Sequence, residues 1–212
     1  YMNIKDSNIA IIHDWFVKES LGGSEKVTLT LNDLLKEKYS TPDIFSLTSN
    51  INRIKINSLK ESKIQTSFIQ SLPFGQTNVQ SYLPILPYAI EQFDLREYDL
   101  IISSSHALAK GVLTSPDQLH ISYVHTPMRY AWDQMNTYLK KSTLSKFGFE
   151  IPIRYMLYKL REWDFYSSQR LDYIIANSNF TAKRIKKYWG LESDVINPPV
   201  DTKRFKYNNQ RG

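Results

Sequence analysis

The chain has 212 residues, of which 42% are hydrophobic, and its formal net charge is +6. This length predicts one α/β domain with a single core, or one half of a two-domain enzyme. The absence of cysteine excludes disulfides and thiolate metal sites, and no run reaches the roughly 18 apolar residues that span a bilayer. We therefore expect a cytoplasmic protein, either soluble or bound peripherally at the inner face of the membrane.

Short apolar runs alternate with helical patterns along the chain. Residues 8–13 predict the first strand, and a polar loop leads from it to a helix that Ser24 can cap. Further strands are predicted at residues 43–47, 63–68, 100–103, 120–124 and 173–176, and helices near residues 88–93, 152–170 and 181–189. This alternation indicates an α/β fold with a Rossmann-like, doubly wound, mainly parallel sheet. Residues 71–87, rich in Pro, Gln, Ser and Asn, predict a surface excursion.

The first candidate site is Gly22, Gly23 and Ser24, where the first loop meets the first helix. Small residues let a ligand approach the backbone, and the N–H groups and dipole of a helix start favour an anion such as a diphosphate. The alternative is a tight loop in which Ser24 only caps the helix.

The second candidate site follows the predicted strand at residues 120–124 and contains His125, Arg129, Tyr130 and Asp133. Ligands of open α/β sheets bind at the carboxyl ends of the strands. There, an imidazole can bond a sugar hydroxyl or take part in proton transfer, and Arg129 can hold a phosphate. Alternatively, a backbone carbonyl satisfies His125 while Arg129 and Asp133 pair one helical turn apart.

His106 follows three serines at another predicted strand end, where it can contact an acceptor or simply form a cleft wall. No Gly-x-Ser-x-Gly elbow accompanies these serines, so a serine hydrolase is not supported. The four histidines are scattered and form no ligand cluster, so we expect no metal.

The positive charge fits three partners: nucleic acid, an anionic membrane or a phosphorylated ligand. No nucleic-acid module is recognisable, so we expect no nucleic-acid partner. Lys146, Phe147 and Phe149 precede a helix whose core stripe is Ile153, Met156, Leu157 and Leu160. Exposed aromatic and basic residues there suit an anionic membrane surface, and the alternative is a packed helix with solvated charges.

Four motifs in order resemble the amino-terminal half of the GT4 family of retaining glycosyltransferases, whose GT-B architecture has two Rossmann-like domains facing a cleft. The motifs are Ile11-Ile-His-Asp-Trp15 with Gly22-Gly-Ser-Glu25, Tyr123-Val-His-Thr-Pro-Met-Arg-Tyr-Ala-Trp-Asp133, Ala176-Asn-Ser-Asn-Phe-Thr-Ala-Lys-Arg184 and Asn197-Pro-Pro-Val-Asp201. The second motif looks most like bacterial mannosyltransferase-type members that build surface polysaccharide on a lipid carrier.

The resemblance implies that Gly22 and Gly23, with Ser24, bind the donor diphosphate, and that His125 is the catalytic histidine contacting the transferred sugar. A lipid-linked or glycan acceptor is expected at Arg129, from its place in the motif, and at His106, Tyr130 and Asp133. The donor is a nucleotide sugar, with GDP-mannose implied by the subfamily likeness. No further cofactor is expected.

The family's second domain carries a Glu-x7-Glu element that this sequence lacks after Pro199. We therefore expect residues 2–196 to form the acceptor-side domain and residues 197–212 to begin the linker, with the donor-binding domain outside the chain. We expect the fragment alone to be nearly inactive. Two alternatives stay open: a non-enzymatic carbohydrate- or lipid-binding module, and a GT-B sugar-nucleotide epimerase or phosphorylase.

Overall fold

The computed structural model describes residues 7–16, 22–51, 56–141 and 148–200. Within these ranges seven parallel strands form one sheet with the order β3-β2-β1-β4-β5-β6-β7. The strands are β1 (Ile9–His13), β2 (Asp43–Ser46), β3 (Ile64–Thr66), β4 (Leu100–Ser105), β5 (Leu119–Val124), β6 (Tyr173–Ala176) and β7 (Asp194–Val195). The predicted Rossmann-like α/β fold is confirmed.

Five α-helices connect these strands in the described part of the chain. They are α1 (Gly23–Lys38), α2 (Leu86–Glu91), α3 (Met135–Lys141), α4 (Glu150–Ser168) and α5 (Asn179–Trp189). Helix α1 begins two residues earlier than it would with Ser24 as its N-cap, because Gly22 is the N-cap and no side chain caps the turn. The predicted capping role of Ser24 is therefore wrong, and its hydroxyl donates instead to Glu25 Oε2 at 3.0 Å.

The core lies on both faces of the central strands, which are largely buried, as parallel strands covered by helices must be. The predicted stripe of α4 faces this core: Leu157 and Leu160 are buried, while Ile153 and Met156 pack against them. Residues 71–87 are not simply a surface excursion. They contribute the buried side chains of Val79, Leu83 and Leu86 to the main core.

Strand order places the ends of β1, β4, β5 and β6 beside one another. His13 is in register with Ser104, and Val124 lies between Ser105 and Ala176. The strand order reverses at β1, and ligands of such sheets bind in the crevice outside the carboxyl ends at that point. No helix in the described ranges has the length and hydropathy needed to cross a membrane.

Candidate functional site

A cleft of about 560 Å³ opens at the carboxyl edge of the sheet. Its walls come from the start of α1, the loops after β4 and β5, and the start of α5. The structure brings five of the predicted site residues together in its lining: Gly23, Ser24, His106, His125 and Arg129. Residues more than a hundred positions apart in sequence thus face one space.

The amino terminus of α1 forms one wall of this cleft. Gly22 has an extended conformation with φ of −76° and no side-chain cap, so the first N–H groups of α1 have no side-chain acceptor. A Cβ atom added to Gly23 would meet nothing within 4 Å, so the space beside this residue is open. The helix dipole adds positive potential at this point, and the wall is therefore suited to an anion.

Glu25 lies against the same turn. Its Oε2 accepts the Ser24 hydroxyl at 3.0 Å, and a Cβ atom added to Gly22 would approach that oxygen within 2.7 Å. The Glu25 carboxylate therefore places a negative charge at the positive end of its own helix. An anionic ligand at the start of α1 has to compete with this carboxylate.

His125 is held at the end of β5 by contacts on its ring and its backbone. Its Nε2 lies 2.9 Å from the Ser104 hydroxyl, and its carbonyl accepts the Thr181 hydroxyl at 3.1 Å. The ring is thus oriented by a serine and not by a backbone carbonyl, and Nδ1 has no hydrogen-bond partner among the described residues. Burial, reinforced by the charges of His13 and His106, lowers the pKa of His125 to about 4. A neutral imidazole therefore faces the cleft near neutral pH.

Arg129 is exposed in the cleft and makes no ion pair within the described part of the chain. Its predicted alternative partner, Asp133, instead binds Arg184 through both carboxylate oxygens, with Nη2 to Oδ1 at 3.0 Å. Arg184 is buried and packs over the Tyr188 ring at 5.3 Å. The guanidinium of Arg129 is therefore left for a ligand.

Two predicted acceptor residues do not line the cleft. Asp133 is committed to its ion pair with Arg184, which fastens the segment after β5 to α5. The Tyr130 hydroxyl is buried, its ring packs against Tyr138 at 6.0 Å, and burial raises its pKa well above the usual value. Neither side chain lies in the lining of the cleft, and their contact with an acceptor stays a prediction. Gly22 is exposed beside the cleft as the helix N-cap and is not part of its lining.

Asp14 was not singled out as a site residue in the sequence, although it lies within the first motif. Its carboxylate is fully buried and accepts the backbone N–H groups of residues 106–109. Burial by itself would raise the pKa of Asp14, but His106 and these hydrogen bonds hold the pKa far below its usual range. The only sequence signal is an acidic residue directly after a buried strand, where parallel sheets gather ligands.

We expect the free energy of unfolding to fall as the pH is lowered from about 7 to about 5. Burial lowers the pKa of His13 and His125 to about 4 and of His120 to about 3, from 6.5. Below pH 6.5 the unfolded chain therefore binds protons that the folded chain does not. Each unit by which a histidine's pKa differs between the two states contributes about 1.4 kcal/mol to the free energy of unfolding. His106 acts in the opposite sense, because its pKa is raised. Urea denaturation across this range measures the slope, and equal stability at both ends would contradict the expectation.

Similarity to known proteins is found at the level of the fold and of the family. No curated protein matches the chain in sequence. Among matching solved structures is an alpha-glucosyltransferase in complex with UDP-glucose and DNA containing an abasic site, with a TM-score of 0.43 and 13% sequence identity. The match covers 92% of this chain and 43% of that one, so the chain spans less than half its length. The family described as Glycosyltransferase Family 4 matches residues 21–204. Because this match covers most of the sequence, the chain belongs to Glycosyltransferase Family 4.

Proposed function

We propose that the chain is the acceptor-side half of a retaining glycosyltransferase of GT-B architecture. It would transfer a hexose, mannose by the likeness of residues 123–133, from a nucleotide sugar such as GDP-mannose to a lipid-linked or glycan acceptor in surface polysaccharide synthesis. In this proposal residues 2–196 supply the acceptor side of the cleft, and a separate domain binds most of the donor. The observation that carries the proposal is the meeting of the uncapped start of α1, His125 and Arg129 in one cleft.

The donor diphosphate is proposed at the start of α1, beside Gly23. Backbone N–H groups there can bond phosphate oxygens without a metal ion, and the open space at Gly23 permits close approach. Charge that builds up on the leaving diphosphate would be stabilised by these fixed donors, which need no reorganisation during the reaction. A retaining front-face displacement lets the leaving diphosphate accept the acceptor's proton.

His125 is proposed to contact the transferred sugar. Ser104 occupies Nε2, so Nδ1 is the nitrogen available to a sugar hydroxyl. The low pKa of His125 means that its contribution near neutral pH is a hydrogen bond and not a fixed positive charge. Its role is thus to orient the sugar, and orientation alone can account for a large part of a transfer rate.

Arg129 is proposed to bind a phosphate of the acceptor. The guanidinium presents a planar set of donors that matches phosphate oxygens, and it is exposed in the cleft without an ion pair among the described residues. A lipid-diphosphate glycan supplies such a phosphate. In this proposal the donor binds at the start of α1 and the acceptor binds at Arg129.

A panel of nucleotide sugars, offered with a lipid-diphosphate glycan acceptor to the protein in its natural length, tests the proposal. Transfer to the acceptor with retained anomeric configuration, followed by NMR, is the expected result. Sugar-phosphate formation or nucleotide-sugar conversion without an acceptor would indicate a phosphorylase or epimerase instead. Glycan binding without turnover of any donor would indicate a binding module.

Peripheral contact with an anionic membrane is also proposed, at the exposed face of α4. Ile151 is 79% exposed and Tyr155 62% exposed, and Tyr158 continues the same face at helical spacing. The nearby cations Arg154 and Lys159 are already paired with Glu150 and Glu162. The insertion of apolar side chains should therefore contribute more to membrane binding than these paired charges do. The predicted contributors Lys146 and Phe147 lie outside the described residues, while Phe149 is exposed.

We expect Tyr155→Glu to weaken binding to phosphatidylglycerol-containing vesicles about tenfold, since inserting one large apolar side chain is worth roughly 1.5–3 kcal/mol. Vesicle co-sedimentation measures the loss. Tyr173→Glu is the matched control, because Tyr173 is 61% exposed but lies at the start of β6 and not on α4. Equal loss for both variants, or no binding by the unmodified chain, would refute the proposed membrane contact.

A further inference from the structure

One carboxylate fastens the loop after β4 to the end of β1. Asp14 Oδ2 accepts the N–H groups of His106 at 2.6 Å and Ala107 at 3.2 Å. Its Oδ1 accepts those of Leu108 and, at 2.8 Å, Ala109, where a short 3-10 helix (Ala109–Gly111) begins. A carboxylate with this many N–H donors stays ionised. The loop that carries His106 is therefore fixed around a buried negative charge.

The His106 side chain is fixed by the same group. Its Nδ1 lies 3.0 Å from Asp14 Oδ2, and its ring packs edge-on against Trp15 with 4.7 Å between centroids. Because Nδ1 lies beside the carboxylate, a proton on that nitrogen is favoured and Nε2 is the nitrogen left for a ligand. The side chain is 26% exposed, and it lines the cleft.

Charged and titratable groups from three parts of the fold surround His106. Burial by itself would lower the pKa of His106. The charge of Asp14 and its hydrogen bond raise this pKa by more than burial lowers it, with a smaller contribution from Glu25 on α1. Arg129, after β5, opposes the rise. His13, at the end of β1, has its ring 5.9 Å away and stays neutral near pH 7. The protonated form of His106 is repelled by Arg129 across the cleft, and an anion bound to both would offset that repulsion.

We propose that Asp14 is a positioning residue that holds His106 as an imidazolium, with Nδ1 toward the carboxylate, so that its Nε2–H donates to a phosphate group of the bound ligand, beside Arg129. This rests on the proposed function only in that the ligand carries phosphate. The cleft then has two separate anion positions, one at the start of α1 and one between His106 and Arg129. Asp14 acts on the second position through His106 and touches no ligand itself.

Nitrogen-15 NMR of the histidine rings in the 212-residue chain, titrated with inorganic phosphate, tests the proposal. We expect His106 to keep a proton on Nδ1, to titrate above its ordinary value of 6.5, and to show a shift of Nε2 when phosphate binds. Asp14→Asn should bring the titration of His106 below 6.5 and weaken phosphate binding about tenfold. A purely structural Asp14 would leave both unchanged in the folded variant.

Two further variants keep the test decisive. His106→Gln should weaken phosphate binding to the same extent as Asp14→Asn, and it gives the answer if Asp14→Asn does not fold. Gly23→Val should leave the phosphate-induced shift of Nε2 intact, because it changes only the position at the start of α1. An unprotonated Nδ1 in the unmodified chain, or a phosphate shift that Gly23→Val abolishes, would overturn the proposal. These readouts need no transferase activity, so failure of the transfer assay is a separate result.

Discussion

Replacing Asp164 with asparagine is expected to lower the free energy of unfolding by about 3–5 kcal/mol, which is the usual cost of breaking a buried ion pair by removing one partner. Asp164 lies on α4 with no exposed surface, and its Oδ1 is 2.8 Å from the ammonium of Lys110, which is 1% exposed. Its Oδ2 accepts the indole N–H groups of Trp132 at 2.7 Å and Trp189 at 2.8 Å. One carboxylate thus joins four elements.

The loss is large because nothing nearby can replace the charge. Lys110 Nζ also contacts the Ser167 hydroxyl at 3.0 Å and lies over the Trp163 and Trp189 rings at 4.9 and 5.1 Å. These rings attract a cation, but each such contact is worth only about 0.5–2 kcal/mol, less than the desolvation cost of an unpaired ammonium. The asparagine amide can accept one indole proton but cannot neutralise the lysine.

Urea denaturation of the two chains measures this difference. Glu150→Gln is the matched control: it breaks a pair with Arg154 on the same helix, but both side chains are nearly half exposed. Exposed pairs contribute about 0–1 kcal/mol, so the control should barely change. If Asp164→Asn destabilised the chain no more than Glu150→Gln, the buried ion pair of Asp164 and Lys110 would not contribute to stability as expected.

This network explains why the segment after β5 is so rich in polar and aromatic residues. His125 and Arg129 face the cleft, whereas Trp132 and Asp133 bind the buried network and Arg184. The sequence predicted one site for the whole segment. The structure divides it into two residues that face the cleft and two that bind the surrounding side chains.

Patterns with a local cause were predictable from sequence. Apolar runs located every strand except β7. Because the carboxyl ends of parallel strands lie at one edge of the sheet, the sequence also placed His106 and His125 at the same edge. Strand β7 was missed because it has only two residues, both exposed. Helix α3 was missed within the polar stretch that follows the second candidate site.

Side-chain partners distant in sequence were not predictable. Asp14 binds backbone N–H groups 92 to 95 positions away, and Asp133 binds Arg184 across 51 positions. Local spacing instead gave the pair Arg129–Asp133 as the alternative, since residues four apart are neighbours on a helix. Residues 71–87 show the same limit, because their polar composition concealed Val79 and Leu83, whose burial depends on the tertiary fold.

Replacing Gly23 with valine is expected to weaken binding of GDP at least tenfold while leaving the fold intact. A Cβ atom at this position would meet nothing within 4 Å, so the folded chain has room for the larger side chain. The two valine methyl groups would instead occupy the space through which a diphosphate approaches the first N–H groups of α1. Helix formation should change little, because valine has at least the helix propensity of glycine.

Two matched variants separate loss of access from other causes. Gly23→Ala adds a single methyl group and should weaken GDP binding less than Gly23→Val does. Glu25→Gln should strengthen GDP binding, because it removes the carboxylate that lies against the same turn and repels a phosphate. Isothermal titration calorimetry gives the GDP affinities of the unmodified chain and the three variants, and thermal unfolding checks the fold of each variant. Equal GDP affinity for the unmodified chain and Gly23→Val would show that the diphosphate does not bind at the start of α1. Weaker binding by Glu25→Gln would show that the Glu25 carboxylate helps to form the site and does not compete for it.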